Sequence, residues 1–176
     1  MPHPIVRHNT KQQCQYVLLC HDGGMPSAPV LFVASSGGHL AQLWSLRPWW
    51  IRRRRIWVTF PTADALQLLD GEDVRPAHHP TTRNLPNLLR NTVLAVRTLA
   101  RTRPAAVVST GAGVALPFFV LAWLLRIPTV YIEVYDRIDS APLTTRLCRP
   151  FTRLHLTQWD EQRVFLPTAI TVGPLL

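Results

Sequence analysis

Short apolar runs alternate along this chain with longer segments whose apolar residues return at helical spacing. Val30 to Ala34 is closed by Ser-Ser-Gly-Gly, after which Leu40, Leu43, Trp44 and Leu46 recur at roughly helical intervals, so the pattern predicts strand, turn and helix. Ile56 to Phe60 is β-branched and aromatic enough for a second strand, and Thr62 stands at a cap position before a helix over Ala63 to Leu69. Val74 falls in a short third strand. From Leu85 to Arg103 the apolar positions Leu85, Leu88, Leu89, Val93, Val96, Leu99 and Ala100 line one helical face, with Arg90, Arg97 and Arg101 off it, which predicts an amphipathic helix.

The same alternation continues to the end. Ala105 to Ser109 predicts a buried strand, Gly111 to Gly113 a turn, and Val114 to Leu125 a helix with Pro117 in or near its first turn, where proline is tolerated. Thr129 to Glu133, Arg153 to Thr157 and Ile170 to Val172 read as further strands, with helices over Leu143 to Arg149 and Trp159 to Phe165. Strands alternating with helices predict an α/β fold, a Rossmann-like doubly wound parallel sheet whose ligands bind outside the carboxyl ends of the strands.

Length and composition narrow the class. With 176 residues, 47% of them apolar, the chain can bury one substantial core. We expect a loosely ordered leader over 1–28 and one domain over 29–176. Val107 to Leu125 approaches the length of a spanning helix, but Ser109, Thr110, Gly111, Gly113 and Pro117 interrupt it. Nineteen basic residues against ten acidic ones give a formal charge of +9, which favours an anionic partner: phosphate, nucleic acid or an acidic membrane. Cys14, Cys20 and Cys148 lack metal-ligand spacing and are odd in number, which argues against a zinc site and a disulfide framework. No metal or cofactor is expected. Interleaved aromatic stacking motifs and a nucleic-acid fold signature are absent, so nucleic acid is not the expected partner.

Candidate chemistry sits where strands give way to helices. Ser35, Ser36, Gly37, Gly38 and His39 join the first strand to the first helix; two glycines permit close backbone approach to a ligand, and His39 titrates near neutral pH. A tight turn with a capping histidine would use the same residues. Ser109, Thr110, Gly111, Ala112 and Gly113 repeat the arrangement at a later strand, either as a polar-ligand turn or as a small-residue turn beneath a packed helix. Glu133 ends an apolar strand ahead of Tyr135, Asp136, Arg137 and Asp139, as a cleft carboxylate or as the structural partner of an arginine. Trp49 and Trp50 precede Arg52, Arg53, Arg54 and Arg55, which suits an anionic lipid surface or, equally, a solvated loop beside core tryptophans.

Taken in order, SSGGHL (Ser35 to Leu40), TTRNLPNLLRN (Thr81 to Asn91), VVSTGAGVALPFF (Val107 to Phe119), YIEVYDRIDSAPLTTRL (Tyr131 to Leu147) and LTQWDEQ (Leu156 to Gln162) resemble the PssD family of bacterial exopolysaccharide glycosyltransferases. They also resemble its relative, the membrane-associated subunit of the eukaryotic two-part transferase that adds the second GlcNAc to dolichol-linked sugar. More distantly the layout is similar to the amino-terminal half of MurG. The resemblance implies the acceptor-side half of a GT-B glycosyltransferase at the cytoplasmic face of the plasma membrane, held peripherally. A separate subunit would bind the donor, and GlcNAc or glucuronic acid would pass from UDP to a polyprenyl-diphosphate-linked acceptor.

An inverting transfer of that kind needs a base for the acceptor hydroxyl, and His39 and Glu133 are the titratable groups expected at the crevice, with His39 preferred. Ser35, Ser36, Gly37, Gly38, Ser109, Thr110, Gly111, Gly113 and Arg137 would hold substrate. The eukaryotic relative carries an amino-terminal membrane helix that is not seen here, so attachment would fall to surface features such as the Trp49 to Arg55 segment or to a partner. A noncatalytic membrane scaffold that recruits the catalytic subunit is the competing reading.

Overall fold

The β-branched and aromatic runs form strands, and all of them pair in parallel. A computed structural model describes residues 28–138 and 140–176; the expected leader over 1–28, with Cys14 and Cys20, lies outside the described residues apart from Ala28, and so does Asp139. Val30–Val33 (β1), Arg55–Thr59 (β2), Val74–Pro76 (β3), Ala106–Ser109 (β4), Thr129–Ile132 (β5), Leu154–Thr157 (β6) and Ile170–Thr171 (β7) build a seven-stranded sheet in the order β3-β2-β1-β4-β5-β6-β7. Among the described residues six helices accompany it: Gly38–Ser45 (α1), Arg47–Trp50 (α2), Ala63–Leu68 (α3), Leu85–Thr102 (α4), Ala115–Leu124 (α5) and Leu143–Cys148 (α6). The segment expected as a helix from Trp159 is a 3-10 turn over Asp160–Val164.

A parallel sheet must be covered on both faces, and two apolar clusters do this. On one face Phe32, Trp57, Val108 and Ile132 pack under Leu40 and Leu43 of α1 and Trp50 of α2. On the other, Leu31, Val58, Val107 and Tyr131 pack under Ala95 and Leu99 of α4 and Phe118 and Phe119 of α5. The strand order reverses between β1 and β4, so the crevice at their carboxyl ends is the ligand position that this topology favours.

One sequence expectation is corrected here, and a second point bears on another. Trp49 and Trp50 are core residues at 7% and 0% exposure, not interfacial ones. The Trp50 ring meets Trp57 edge-on at 5.5 Å between centroids, its indole N–H donates to the Leu43 carbonyl at 3.1 Å, and Phe32 stacks on Trp57 at 4.4 Å. Full burial of a large apolar side chain is worth about 1.5–3 kcal/mol. The arginine run largely serves the same cluster. Arg55 lies 4.6 Å above Trp50 and clasps Glu72 through two bonds of 2.7 and 2.6 Å, while Arg53 lies 5.0 Å above Trp49. Arg52 and Arg54 remain exposed.

The second point concerns α4, which forms as expected but with most of its apolar face, Leu99 excepted, turned to solvent. Asn84 caps it by accepting from the Asn87 N–H at 2.9 Å, and Arg103 closes it in a left-handed conformation at φ 39°. Its buried stripe is Asn87, Asn91, Ala95, Thr98 and Leu99, whereas Leu85, Leu89, Val93 and Val96 are exposed. Hydrogen bonding dictates this orientation. The Asn91 side chain accepts from the His78 N–H and donates to the His78 carbonyl, both at 2.9 Å, and the Asn87 amide donates to the Pro80 carbonyl at 3.0 Å. These bonds pair the part-buried backbone groups of His78 and Pro80 after β3, which leucine and valine side chains could not do.

Candidate functional site

The β1–α1 and β4–α5 turns meet at the switch point and are stitched together. The His39 Nδ1–H donates to the Thr110 carbonyl at 2.8 Å, and the Thr110 hydroxyl donates back to the His39 carbonyl at 2.8 Å. A carbonyl can only accept, so the proton of the neutral ring sits on Nδ1 and the lone pair on Nε2. Burial pulls the His39 pKa below its ordinary value; the Thr110 bond and the nearby Asp136 carboxylate oppose that shift, and the Arg137 guanidinium adds to it. Burial thus favours the uncharged imidazole, whose lone pair is on Nε2.

Gly111 is required by this junction. It adopts φ +107°, and a β-carbon there would lie 2.5 Å from the Tyr131 hydroxyl and 3.5 Å from His39 Cε1. Gly37 sits at φ +69° before α1, its N–H already donating to the Asp64 carboxylate at 3.1 Å, and Gly37 and Gly38 are exposed with open space above them. Ser35 and Ser36 are half-buried beside them, and Gly113 lies in the turn two residues before α5.

The sequence expected hydroxyls of Ser109 and Thr110 to meet the ligand, and the structure turns them inward. Both residues are fully buried; the Ser109 Oγ accepts from the Gly111 N–H at 2.9 Å, and Thr110 holds His39 as described. They shape the turn instead of lining the crevice. Glu133 is also displaced from its expected role. It is fully buried, and its carboxylate accepts from the Thr145 hydroxyl of α6 at 2.8 Å and from the Val134 N–H at 3.3 Å. Burial pushes its pKa up to about 7, against the lowering effect of those two bonds. Thr145 in turn bonds the Tyr131 hydroxyl at 2.9 Å, so Glu133, Thr145 and Tyr131 form a chain beneath Gly111 rather than a second group open to the crevice. Arg137 is exposed, and its charge reaches both His39 and Glu133.

Sequence reading missed the amide network beneath the site. Gln158 donates to the Gln42 side chain at 2.5 Å and to the Glu133 carbonyl at 2.8 Å, and accepts from the Leu175 N–H at 2.9 Å. Gln162 donates to the Val134 and Arg137 carbonyls at 2.8 and 3.0 Å. All three glutamines are buried, so this fully paired network fixes the loop after β5 against α1. Their polar character gave a sequence signal only as residues that a solvent-facing reading would pass over.

The fold is a Rossmann-like unit of the kind found in the amino-terminal half of a GT-B protein. No family model matches the chain. It is similar in sequence, 35% identical over 128 residues, to the UDP-N-acetylglucosamine–N-acetylmuramyl-(pentapeptide) pyrophosphoryl-undecaprenol N-acetylglucosamine transferase of Roseiflexus sp. (strain RS-1). That alignment covers 68% of this chain and 26% of the relative. MurG of Acinetobacter baumannii superposes with a TM-score of 0.63 at 18% identity over 76% of this chain and 42% of its own. A UDP-N-acetylglucosamine 2-epimerase from Rickettsia bellii superposes at 0.64 with 14% identity, covering 80% of this chain and 41% of its own. The chain thus spans well under half the length of these relatives, and the epimerase likeness is one of fold.

Proposed function

We propose that this chain is the acceptor-side half of a GT-B glycosyltransferase, one unit over 29–176, that moves a sugar from a UDP donor to a polyprenyl-diphosphate-linked acceptor. The observation that carries it is the His39 clasp: an imidazole at the switch point held through Nδ1, which leaves the Nε2 lone pair free of that bond. Sequence identity to a transferase of lipid-linked sugars supports the substrate class. In the step, the acceptor oxygen forms a bond to the anomeric carbon, the bond from that carbon to the diphosphate breaks, UDP leaves with the electron pair, and Nε2 takes the hydroxyl proton. Glu133 acts from below, through Thr145 and Tyr131, in holding the Gly111 turn.

The donor half is a separate subunit in this reading, as the resemblance of the five motifs to two-part transferases implies. GlcNAc and glucuronic acid are the candidate sugars, and polysaccharide assembly the setting. The test is reconstitution: the chain mixed with a donor-binding GT-B subunit should transfer labelled sugar to a polyprenyl-diphosphate-linked acceptor, while neither part does so alone. Recruitment of an already active partner to membranes, with no gain in turnover, would favour the noncatalytic scaffold.

Peripheral attachment at the cytoplasmic membrane face moves from the Trp49 to Arg55 segment to α4 and α5. No helix among the described residues is long and apolar enough to cross a membrane. Instead Leu89, Val93 and Val96 of α4 stand exposed with Trp123, Leu124 and Leu125 of α5, and a groove of about 590 Å³ between them is edged by Arg103. With Arg97 and Arg101 exposed on the same helix, apolar centre and cationic rim suit an anionic bilayer surface.

A further inference from the structure

Gln42 lies one turn into α1, on its buried face, and joins the histidine turn to the loop after β5. Its Nε2 donates to the Gly38 carbonyl, which directly precedes His39, at 3.3 Å. Its Oε1 accepts from the Tyr135 N–H at 3.3 Å and from the Gln158 amide at 2.5 Å. The loop it reaches is held at further backbone atoms. The Glu133 carbonyl accepts from Gln158, the Val134 and Arg137 carbonyls accept from Gln162, and the Tyr135 carbonyl accepts from the Trp159 indole N–H at 2.8 Å. The clamp thus extends to the backbone of Tyr135 and Arg137, although both residues are exposed and water could pair those groups.

The tip of that loop carries two adjacent, opposite charges. The fields of both reach His39, Asp136 favouring the imidazolium and Arg137 opposing it. On a wandering loop two such fields average towards cancellation, whereas on a fixed loop their balance at the imidazole is set by where the tip sits. Resting on the transferase reading above, we propose that Gln42 is a positioning residue for His39, fixing the Asp136 and Arg137 tip in one place relative to the histidine turn. Gln158 supports it, since its amide pairs the Gln42 oxygen and the Glu133 carbonyl while its Oε1 takes the Leu175 N–H at 2.9 Å. The clasp between His39 and Thr110 is made by other atoms, so loss of the Gln42 bridge would free the tip and leave the ring in place. The other titratable groups around the turn have different partners: Glu133 and Tyr131 are held by Thr145, and Asp64 by the Gly37 N–H.

The test is NMR titration of the His39 ring nitrogens in the full chain, for the parent and for Gln42→Leu, each with and without Asp136→Asn or Arg137→Gln. In the parent at low salt, Asp136→Asn should lower the His39 midpoint and Arg137→Gln should raise it. In the Gln42→Leu background both shifts should shrink by about half or more, with the Nδ1–H tautomer retained. Gln42→Asn, one methylene shorter and still polar, should show the same loss and serves if the leucine chain does not fold. Asp136 and Arg137 are exposed, so their variants keep the fold, and a parent His39 indifferent to both would overturn the positioning role. Shifts undiminished by the change at Gln42 would overturn it too. In a complex with the proposed donor-binding subunit, Gln42→Leu should also move the acidic limb of the kcat/KM profile along with the His39 midpoint and lower kcat by about tenfold. A midpoint that follows the variants, in a parent complex that transfers no sugar, would leave the coupling standing and remove the transferase reading.

Discussion

Gly111→Ala probes the junction on which the site depends. The added methyl would meet the Tyr131 hydroxyl at 2.5 Å and its Cζ at 3.3 Å, on a backbone at φ +107°. Tyr131 is 1% exposed and bonded to Thr145, so it cannot swing aside. A left-handed backbone with a side chain costs about 1–2 kcal/mol, and overpacking a buried contact costs about 1–3 kcal/mol, giving about 2–5 kcal/mol of lost stability. Tyr131→Phe alone should lose about 1 kcal/mol with its hydrogen bond. It also removes the atom that clashes, so the double variant should be about 1–2 kcal/mol more stable than the sum of the two single changes implies. Urea unfolding followed by tryptophan fluorescence reads all four proteins. A Gly111→Ala chain within about 0.5 kcal/mol of the parent, or strict additivity with Tyr131→Phe, would refute the close approach.

Glu133 gives a pH signature. Its folded pKa is raised to about 7 from an ordinary 4.5, so the folded state binds more protons than the unfolded one between those values, and stability must fall as pH rises through that window. Glu133→Gln, which keeps an acceptor for Thr145, should flatten that slope and gain up to about 3 kcal/mol relative to the parent at pH 8; equal slopes in both proteins would show that the carboxyl is not buried as described. Val93→Asp with Val96→Asp should reduce binding to anionic vesicles by about tenfold or more, with Arg52→Ser plus Arg54→Ser having the smaller effect. Vesicle co-sedimentation showing the reverse order would return attachment to the arginine run.

The alternation of short β-branched runs with helical segments was enough to read a parallel doubly wound sheet, and the two glycine turns announced the crevice. What periodicity cannot convey is which side of an amphipathic helix a neighbour needs. In α4 the backbone after β3 needed the amides of Asn87 and Asn91, and the apolar stripe was left facing outward. Likewise Trp49 and Trp50 beside four arginines look interfacial until β2 brings Trp57 and Glu72 to meet them. The inward turn of Ser109 and Thr110 and the burial of Glu133 depend on contacts made across the chain, from His39 to Thr110 and from Thr145 to Glu133, that no local pattern encodes.

The most direct measurement is turnover by a complex of this chain with the donor-binding subunit proposed for it, comparing the parent with His39→Ala, using labelled UDP-sugar and a polyprenyl-diphosphate-linked acceptor. Loss of the base should lower kcat by about a hundredfold or more, with donor affinity nearly unchanged and the urea midpoint of the chain preserved. A folded His39→Ala complex that transfers sugar at the parent rate would contradict the account, leaving the β1–α1 turn as a positioning element and the base to be found elsewhere.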